Sequence, residues 1–115
     1  MELKQDVKKL TKQIQTGEVS LFDKKIDEAI VERFKIYEQI GARIADNKQT
    51  EEDKIFSQNM KLFFDTLKQN CKIALENQIY GKKVVENRFC NIIELSSKCG
   101  EYFKKGYSKA EEQVL

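Results

Sequence analysis

The side chains that could carry chemistry in this sequence do not include histidine, which is absent. Histidine is the commonest general base and metal ligand, so catalysis would need carboxylates, lysines, tyrosines or cysteines instead. No aspartate or glutamate falls on the apolar stripes of the chain. The polar residues near the stripe edges are Arg33, Asn59, Asn70, Gln78, Arg88 and Asn91. Such residues are more often hydrogen-bonded polar groups in a core, or residues that fix helix register, than catalytic groups. We therefore predict that the protein is not an enzyme.

The three cysteines, Cys71, Cys90 and Cys99, match none of the ligand spacings of zinc sites. We therefore predict no metal, no cofactor and no small-molecule substrate. If the chain reverses direction near residue 80, Cys71 and Cys90 lie at the same level of a helix pair. We interpret both as small buried apolar side chains, with a contact between their sulfur atoms as the alternative.

The segment Gly81-Lys82-Lys83 has the composition of a phosphate-binding turn but not its pattern. A P-loop places several glycines before Gly-Lys-Ser/Thr and follows a β-strand. Here one glycine precedes two lysines inside a helical pattern, so we do not assign a phosphate site to it.

Nucleic-acid binding is the alternative function that the basic residues allow. The residues that it would use are Lys82, Lys83, Arg88, Lys104 and Lys105. The net charge of the chain is only +2, and acidic residues lie near every lysine pair. These lysines therefore fit a solvated helix surface better than a polyanion site, and no zinc-finger, RNP or basic-zipper signature accompanies them.

The composition favours long helices, because proline is absent, glycine occurs five times and 35% of the residues are charged. Apolar residues recur at alternating steps of three and four almost throughout. We predict an all-α, up-down helical bundle that forms one domain over residues 1–115. Its long helices span about residues 21–45, 51–79 and 82–105, after a shorter helix at about 2–16 and before a frayed tail at 107–115.

The helix ends are predicted from short signals. Gly17 follows the first stripe and is typical of a helix stop. Ser20 and Thr50 are candidate N-caps, each followed three residues later by an aspartate. The segment Lys104-Lys105-Gly106 combines cations with a glycine, and we interpret it as the end of the last helix.

The segment Asn77–Val85 decides the architecture. A turn there gives three long helices of matched length that cover one another. The alternative is one continuous helix over residues 51–105, which the unbroken apolar phase allows at a cost of about 1 kcal/mol for Gly81. We favour the turn.

The first helix carries a narrow apolar seam and is too short to be stable alone in water. It is either an ordinary fourth helix or, over residues 1–16, an arm for docking or dimerisation. With two tyrosines that lie toward the ends of the predicted helices, the seam gives the predicted partner-binding residues: Leu3, Val7, Leu10, Ile14, Tyr80 and Tyr102. We predict a non-catalytic protein–protein interaction module, such as an adaptor, chaperone, inhibitor or assembly subunit, that binds a protein partner or itself.

The location is predicted from what the chain lacks. Apolar runs do not exceed three residues, and the first residues contain no apolar core of a secretory signal. An odd number of cysteines without metal spacing suits a reducing compartment. We therefore expect a cytoplasmic protein without a membrane span.

Overall fold

The computed structural model describes residues 3–114, and these residues form five α-helices without any β-strand. The helices are α1 (Val7–Thr16), α2 (Lys24–Glu32), α3 (Phe34–Ala45), α4 (Glu51–Glu76) and α5 (Lys82–Val114). The prediction of an all-α bundle with a short N-terminal helix is confirmed. No helix within this described range is both long and apolar enough to cross a membrane.

The two longest helices, α4 and α5, form a hairpin that carries the other helices on its sides. The α1 helix packs on α4, and α3 packs along the C-terminal half of α5. Val7 lies near Met60 and Ile14 lies near Asn70, so α1 runs in the same direction as α4. The centre of the hydrophobic core is apolar and lies between α2, α4 and α5. Its residues excluded from solvent include Ile26, Ile30, Phe63, Leu67 and Ile92.

The chain turns between α4 and α5, as predicted, but Gly81 is not the residue that permits the turn. Gln78 adopts the left-handed conformation, with φ 52°. The Ile79 N–H then donates to the Ala74 carbonyl at 3.2 Å, and the Gln78 N–H donates to the Leu75 carbonyl at 3.4 Å. This pair of bonds is a Schellman motif, which satisfies the last carbonyls of α4.

The predicted single helix at 21–45 is wrong, because the chain breaks at Arg33 between α2 and α3. The Arg33 backbone N–H donates to the Ile30 carbonyl. The Arg33 guanidinium donates to the Ala29 carbonyl at 2.8 Å and also to the Gln5 carbonyl. The guanidinium thus satisfies a carbonyl that the break leaves without a backbone partner. The apolar spacing runs through Arg33 without a shift, so it concealed the break.

The predicted end of the last helix at residue 105 is also wrong, because α5 continues through Gly106 to Val114. A Cβ atom at Gly106 would lie 2.3 Å from the Gly41 carbonyl oxygen, and one at Gly41 would lie 2.5 Å from that of Tyr102. Gly106 therefore permits α3 and α5 to touch through their backbones and does not stop the helix. The stretch 107–114 is helical, and Leu115 lies outside the described residues.

The other helix starts follow side-chain caps. The Asp6 carboxylate accepts from the Lys8 N–H at 3.0 Å, so α1 begins at Val7 and not at residue 2 as predicted. Residues 1 and 2 lie outside the described range. Asp23 caps α2 in place of the predicted Ser20, whereas the predicted capping box of Thr50 and Asp53 is present at the start of α4.

Candidate interaction surface

The apolar seam of α1 lies inside the bundle. Val7, Leu10 and Ile14 are buried against α4, and Leu3 is half-buried at the edge of a surface cavity of about 360 Å³. The Asn70 side-chain amide donates to the Ile14 carbonyl at 2.9 Å and so fixes α1 in place. Within one chain the seam is core, so it offers a partner no exposed apolar face.

The two predicted tyrosines occupy different settings. Tyr80 is 43% exposed in the α4–α5 turn, and its ring packs edge-on against Phe22 with 4.8 Å between the ring centroids. Tyr102 is half-buried, and its backbone carbonyl borders Gly41 where α3 meets α5. The structure therefore leaves Tyr80, but not Tyr102, as a largely exposed aromatic ring.

The five residues predicted for nucleic-acid binding do not form one surface. Arg88 is buried; its Nη1 atom donates to Asp27 at 2.8 Å and its Nε atom donates to the Leu21 carbonyl at 2.8 Å. Its charge is thus matched by Asp27, and the side chain ties α5 to the segment before α2. The exposed residues are Lys82, Lys83, Lys104 and Lys105. These two pairs lie at separate places on α5, about 33 Å apart along its axis.

The most concentrated exposed apolar surface surrounds the α4–α5 turn, and we call residues 73–84 the hairpin tip. Of the ten exposed large apolar side chains in the described chain, half lie here: Ile73, Leu75, Ile79, Tyr80 and Val84. A surface cavity of about 440 Å³ opens among Leu75, Gln78, Tyr80 and Lys82. A concentration of exposed apolar side chains at one end of a well-packed protein makes that end a candidate interaction surface.

The hairpin tip is ordered in the unbound protein. The Schellman bonds fix its backbone, and the Phe22 ring supports Tyr80 from outside the hairpin. Val85, the first residue beyond the tip, is fully buried and anchors the start of α5. A surface that is ordered in the free protein loses little conformational entropy when it binds.

Charged side chains around the hairpin tip are mostly basic. Lys72, Lys82 and Lys83 are exposed within or beside it, and Glu76 is the acidic residue of the stretch 72–84. Basic groups around an apolar patch attract acidic partners and repel basic ones. The tip therefore combines exposed apolar side chains with three exposed lysines and one exposed glutamate.

The cysteines belong to no cluster of potential metal ligands in the described part of the chain. All three are free, and no group of three or more potential ligands within residues 3–114 could hold a metal ion. Burial raises the pKa of Cys99 to about 12, an effect that a hydrogen bond from Tyr37 partly opposes. Burial also raises the pKa of the Cys71 thiol, whereas the prediction of a buried Cys90 is wrong because that residue is exposed.

A buried carboxylate at the other end of the bundle has a structural partner. Asp53 Oδ1 and Oδ2 accept from Arg43 Nη2 and Nε at 2.6 and 2.7 Å, and Asp53 also completes the cap of α4 with Thr50. Hydrogen bonding from Arg43 lowers the pKa of Asp53, against the opposing effect of its burial. This bidentate pair joins α3 to α4 and engages both oxygen atoms of the Asp53 carboxylate.

Of the exposed apolar residues in the hairpin tip, only Tyr80 was predicted as a partner-binding residue; the aliphatic ones were not. Ile73 and Val84 flank the apolar stripes, and Leu75 and Ile79 fall between the last stripe residue of α4, Ala74, and the first of α5. Apolar residues that lie off the stripe, next to a turn, were the available signal. Comparison with known protein families, curated proteins and solved structures found no match to this chain.

Proposed function

We propose that this protein is a non-catalytic protein–protein interaction module whose hairpin tip binds the apolar face of an acidic amphipathic helix. The observation that carries the proposal is the exposure of five large apolar side chains in and beside one ordered turn, with lysines next to them. The proposal includes the cytoplasmic location expected from the sequence, with which the three free cysteines are consistent.

The mechanism is burial of apolar surface with electrostatic selection. Ile79, Val84 and Tyr80 are 59%, 53% and 43% exposed, so each retains apolar area for a partner to cover. Covering such area contributes about 25 cal/mol per Å² before the costs of association are subtracted. Lys72, Lys82 and Lys83 favour acidic flanks on the partner and raise the association rate at low salt.

A pair of synthetic peptides tests this function directly. Both peptides are amphipathic helices with leucines at helical spacing; one carries glutamates beside the apolar face and the other carries lysines. Fluorescence anisotropy at low and high salt measures their binding to the full chain. We expect the glutamate peptide to bind at least about tenfold more tightly at low salt, and added salt to reduce the difference.

Variants locate the binding surface. Ile79→Ser combined with Val84→Ser should abolish binding of the glutamate peptide, because both aliphatic anchors are removed. Val31→Ser is the matched control, since Val31 is also 53% exposed but lies on α2. Equal binding of the two peptides, or unchanged binding to the double variant, would disprove the proposal.

Nucleic-acid binding remains the second proposal and has weaker support. The Arg88 charge is matched by Asp27, and the exposed lysine pairs are separated along α5. A mobility shift with duplex DNA and with single-stranded RNA tests it. Binding that falls steeply with salt and disappears in the variant Lys82→Gln/Lys83→Gln would favour this function over peptide docking.

A further inference from the structure

A surface cavity of about 350 Å³ lies where α3, α4 and α5 meet, and we call it the three-helix cavity. Its floor is formed by three buried side chains, Tyr37, Phe64 and Cys99, none of which is more than 5% exposed. Sites for small ligands in proteins have volumes of about 300–1,000 Å³ and are lined mostly by apolar and aromatic side chains. The cavity contains no residue of the hairpin tip, so it is a separate feature of the surface.

The floor of the three-helix cavity is aromatic and uncharged. The ring of Tyr37 lies 5.1 Å from the ring of Phe103 between centroids, and Phe103 is half-buried at the cavity edge. Because burial raises the pKa of both Tyr37 and Cys99, neither group carries a charge at neutral pH. A ligand ring placed beside Phe64 and Phe103 can pair with them in edge-to-face or offset geometry, which adds attraction beyond the burial of apolar area.

Gly100 leaves the three-helix cavity open on its α5 side. A Cβ atom at this position would meet no other atom within 4 Å, and the backbone does not have a positive φ. Neither a turn nor a close backbone contact therefore requires glycine here, in contrast to Gly106 of the same helix. Glycine in a helix interior is less stable than almost any other residue. The chain thus forgoes stability where a larger side chain would fill the cavity, as expected where stability is exchanged for function.

The rim of the three-helix cavity has a net positive charge. Its charged residues are Lys61, Asp65 and Lys68 of α4, so one carboxylate lies between two ammonium groups. Asp65 pairs with Lys61 at 3.6 Å. The ion pairs within residues 3–114 do not include Lys68, which is half-buried at the cavity. One cation at the rim is therefore available to an anionic ligand.

We propose that the three-helix cavity binds a small aromatic carboxylate. The ring of the ligand lies against Phe64 and Phe103, in the space that Gly100 leaves open, and its carboxylate pairs with Lys68. Three observations of different kinds support this class of ligand: an aromatic floor, an empty space beside a helical glycine, and a net positive rim. The site is separate from the hairpin tip, so the two surfaces can be occupied independently.

A matched series of compounds tests the class of ligand. Phenylpropanoate, phenylpropanamide and phenylpropylamine share one apolar body and are negative, neutral and positive. Titrations followed in proton–nitrogen correlation spectra of the full chain measure their binding, with the backbone amides of Ser96 and Gly100 as reporters. We expect the acid to bind with a dissociation constant of about 1 mM or below, about threefold to fivefold more tightly than the amide. The amine should bind most weakly, and equal binding of all three would overturn the proposal.

A saturated analogue separates recognition of the ring from burial of apolar area. Cyclohexylpropanoate keeps the carboxylate and the size of the ring but has no π-system, so it should bind about threefold more weakly than phenylpropanoate. Equal or tighter binding of the saturated acid would overturn the aromatic class. Chemical-shift changes centred on residues 73–84 would place the compound at the hairpin tip and would overturn the site. Peptide binding at the tip is measured separately, so the two proposals can fail independently.

Filling the cavity locates the site. Gly100→Leu should weaken binding of phenylpropanoate at least about tenfold, read from the Ser96 amide, because the new side chain occupies the space of the ligand ring. The midpoint of thermal unfolding should not fall, since leucine is a better helix former than glycine. Loss of binding without loss of stability excludes misfolding as its cause. Asn91→Leu, at an exposed position of α5 outside the cavity, is the control and should bind normally. Unchanged binding to Gly100→Leu would overturn the proposal.

Removing the rim cation tests the position of the carboxylate. Lys68→Gln should bring the affinities of phenylpropanoate and phenylpropanamide within about twofold of each other, and the affinity for the amide should not change. Lys72→Gln is the control, because it removes the same charge one turn further along α4 and should keep most of the preference for the acid. Added salt should reduce that preference in the parent protein. A preference that survives Lys68→Gln, or that Lys72→Gln removes equally, would overturn the proposal.

Discussion

At one end of the bundle α3 and α5 meet backbone to backbone, whereas at the other end the hairpin tip holds apolar side chains in solvent. Gly41 and Gly106 are both buried at the closed end, where neither has room for a Cβ atom. Ile79 and Val84 at the tip are more than half exposed. The same helix, α5, thus contributes to a closely packed contact at one end and to a solvent-exposed surface at the other.

The comparison shows how the chain separates stability from recognition. Close backbone approach and the ion pair between Arg43 and the buried Asp53 fix the closed end, and substitutions there should act mainly on folding. The tip has few internal contacts to lose, so substitutions there should act mainly on binding. This division between stability and recognition can be tested by changing one residue at a time at each end.

The largest effect is expected at the glycine contact. Gly106→Ala should lower the free energy of unfolding by about 2 kcal/mol, because the new methyl group would overlap the Gly41 carbonyl and force the helices apart. Gly100→Ala is the control, since that position of the same helix has open space around it. It should raise stability by up to about 1 kcal/mol through helix propensity. Urea denaturation measures both, and equal effects of the two substitutions would refute the close contact.

A smaller effect at the same end should depend on pH. Asp53→Asn should cost about 1.5 kcal/mol at neutral pH, because the charge-assisted bonds from Arg43 are weakened. The pKa of Asp53 is below its ordinary value of 3.8. The stability it contributes is therefore complete above that value and is lost as the pH falls through it towards the lower folded pKa.

Chemical denaturation between neutral pH and about pH 2.5 measures this dependence. The parent protein and Asp53→Asn should converge in stability at the acidic limit. Glu52→Gln changes an exposed carboxylate in the same first turn of α4 and should shift stability by a few tenths of a kcal/mol. A constant difference between the parent and Asp53→Asn across the pH range would contradict the assignment.

The smallest effect is expected at the tip and has the opposite sign. Gln78→Gly should stabilise the protein by about 0.5 kcal/mol, because Gln78 holds a left-handed backbone that glycine adopts without a steric penalty. Gly81→Ala should also be tolerated, since the added methyl group meets Val84 at an ordinary 3.8 Å. Thermal unfolding compares the two variants. Strong destabilisation by Gly81→Ala would show that the turn depends on Gly81 and not on Gln78.

Sequence periodicity predicted the helical class, because that class depends on where apolar residues recur. The turn between α4 and α5 was predicted instead from the matched lengths of the helices it creates, since the apolar phase continues through it. Periodicity could not detect the break at Arg33, since the stripe keeps its phase from Ile30 to Tyr37 across it. The local signal Lys104-Lys105-Gly106 wrongly predicted a helix end at Gly106. The missed signal was heptad spacing, which places Gly106 in line with Val85, Ile92 and Cys99, all buried.

Side-chain partners were harder to predict than helices. The apolar stripe placed Arg88 at its edge, but the local sequence could not identify Asp27 as the partner of its guanidinium, because the two residues are 61 positions apart. The same limit applies to the seam of α1, whose spacing fits internal packing and partner docking equally well. Only the tertiary contact with α4 separates the two.

The parallel placement of α1 on α4 has a consequence for synthesis on the ribosome. The Ile14 carbonyl receives its bond from Asn70, 56 residues later, so α1 leaves the exit tunnel long before its support exists. Such distant pairings delay folding, because a large loop must close before any contact is gained. We expect the nascent chain to fold only after α4 and α5 have emerged. Until then the apolar face of α1 is accessible to chaperones.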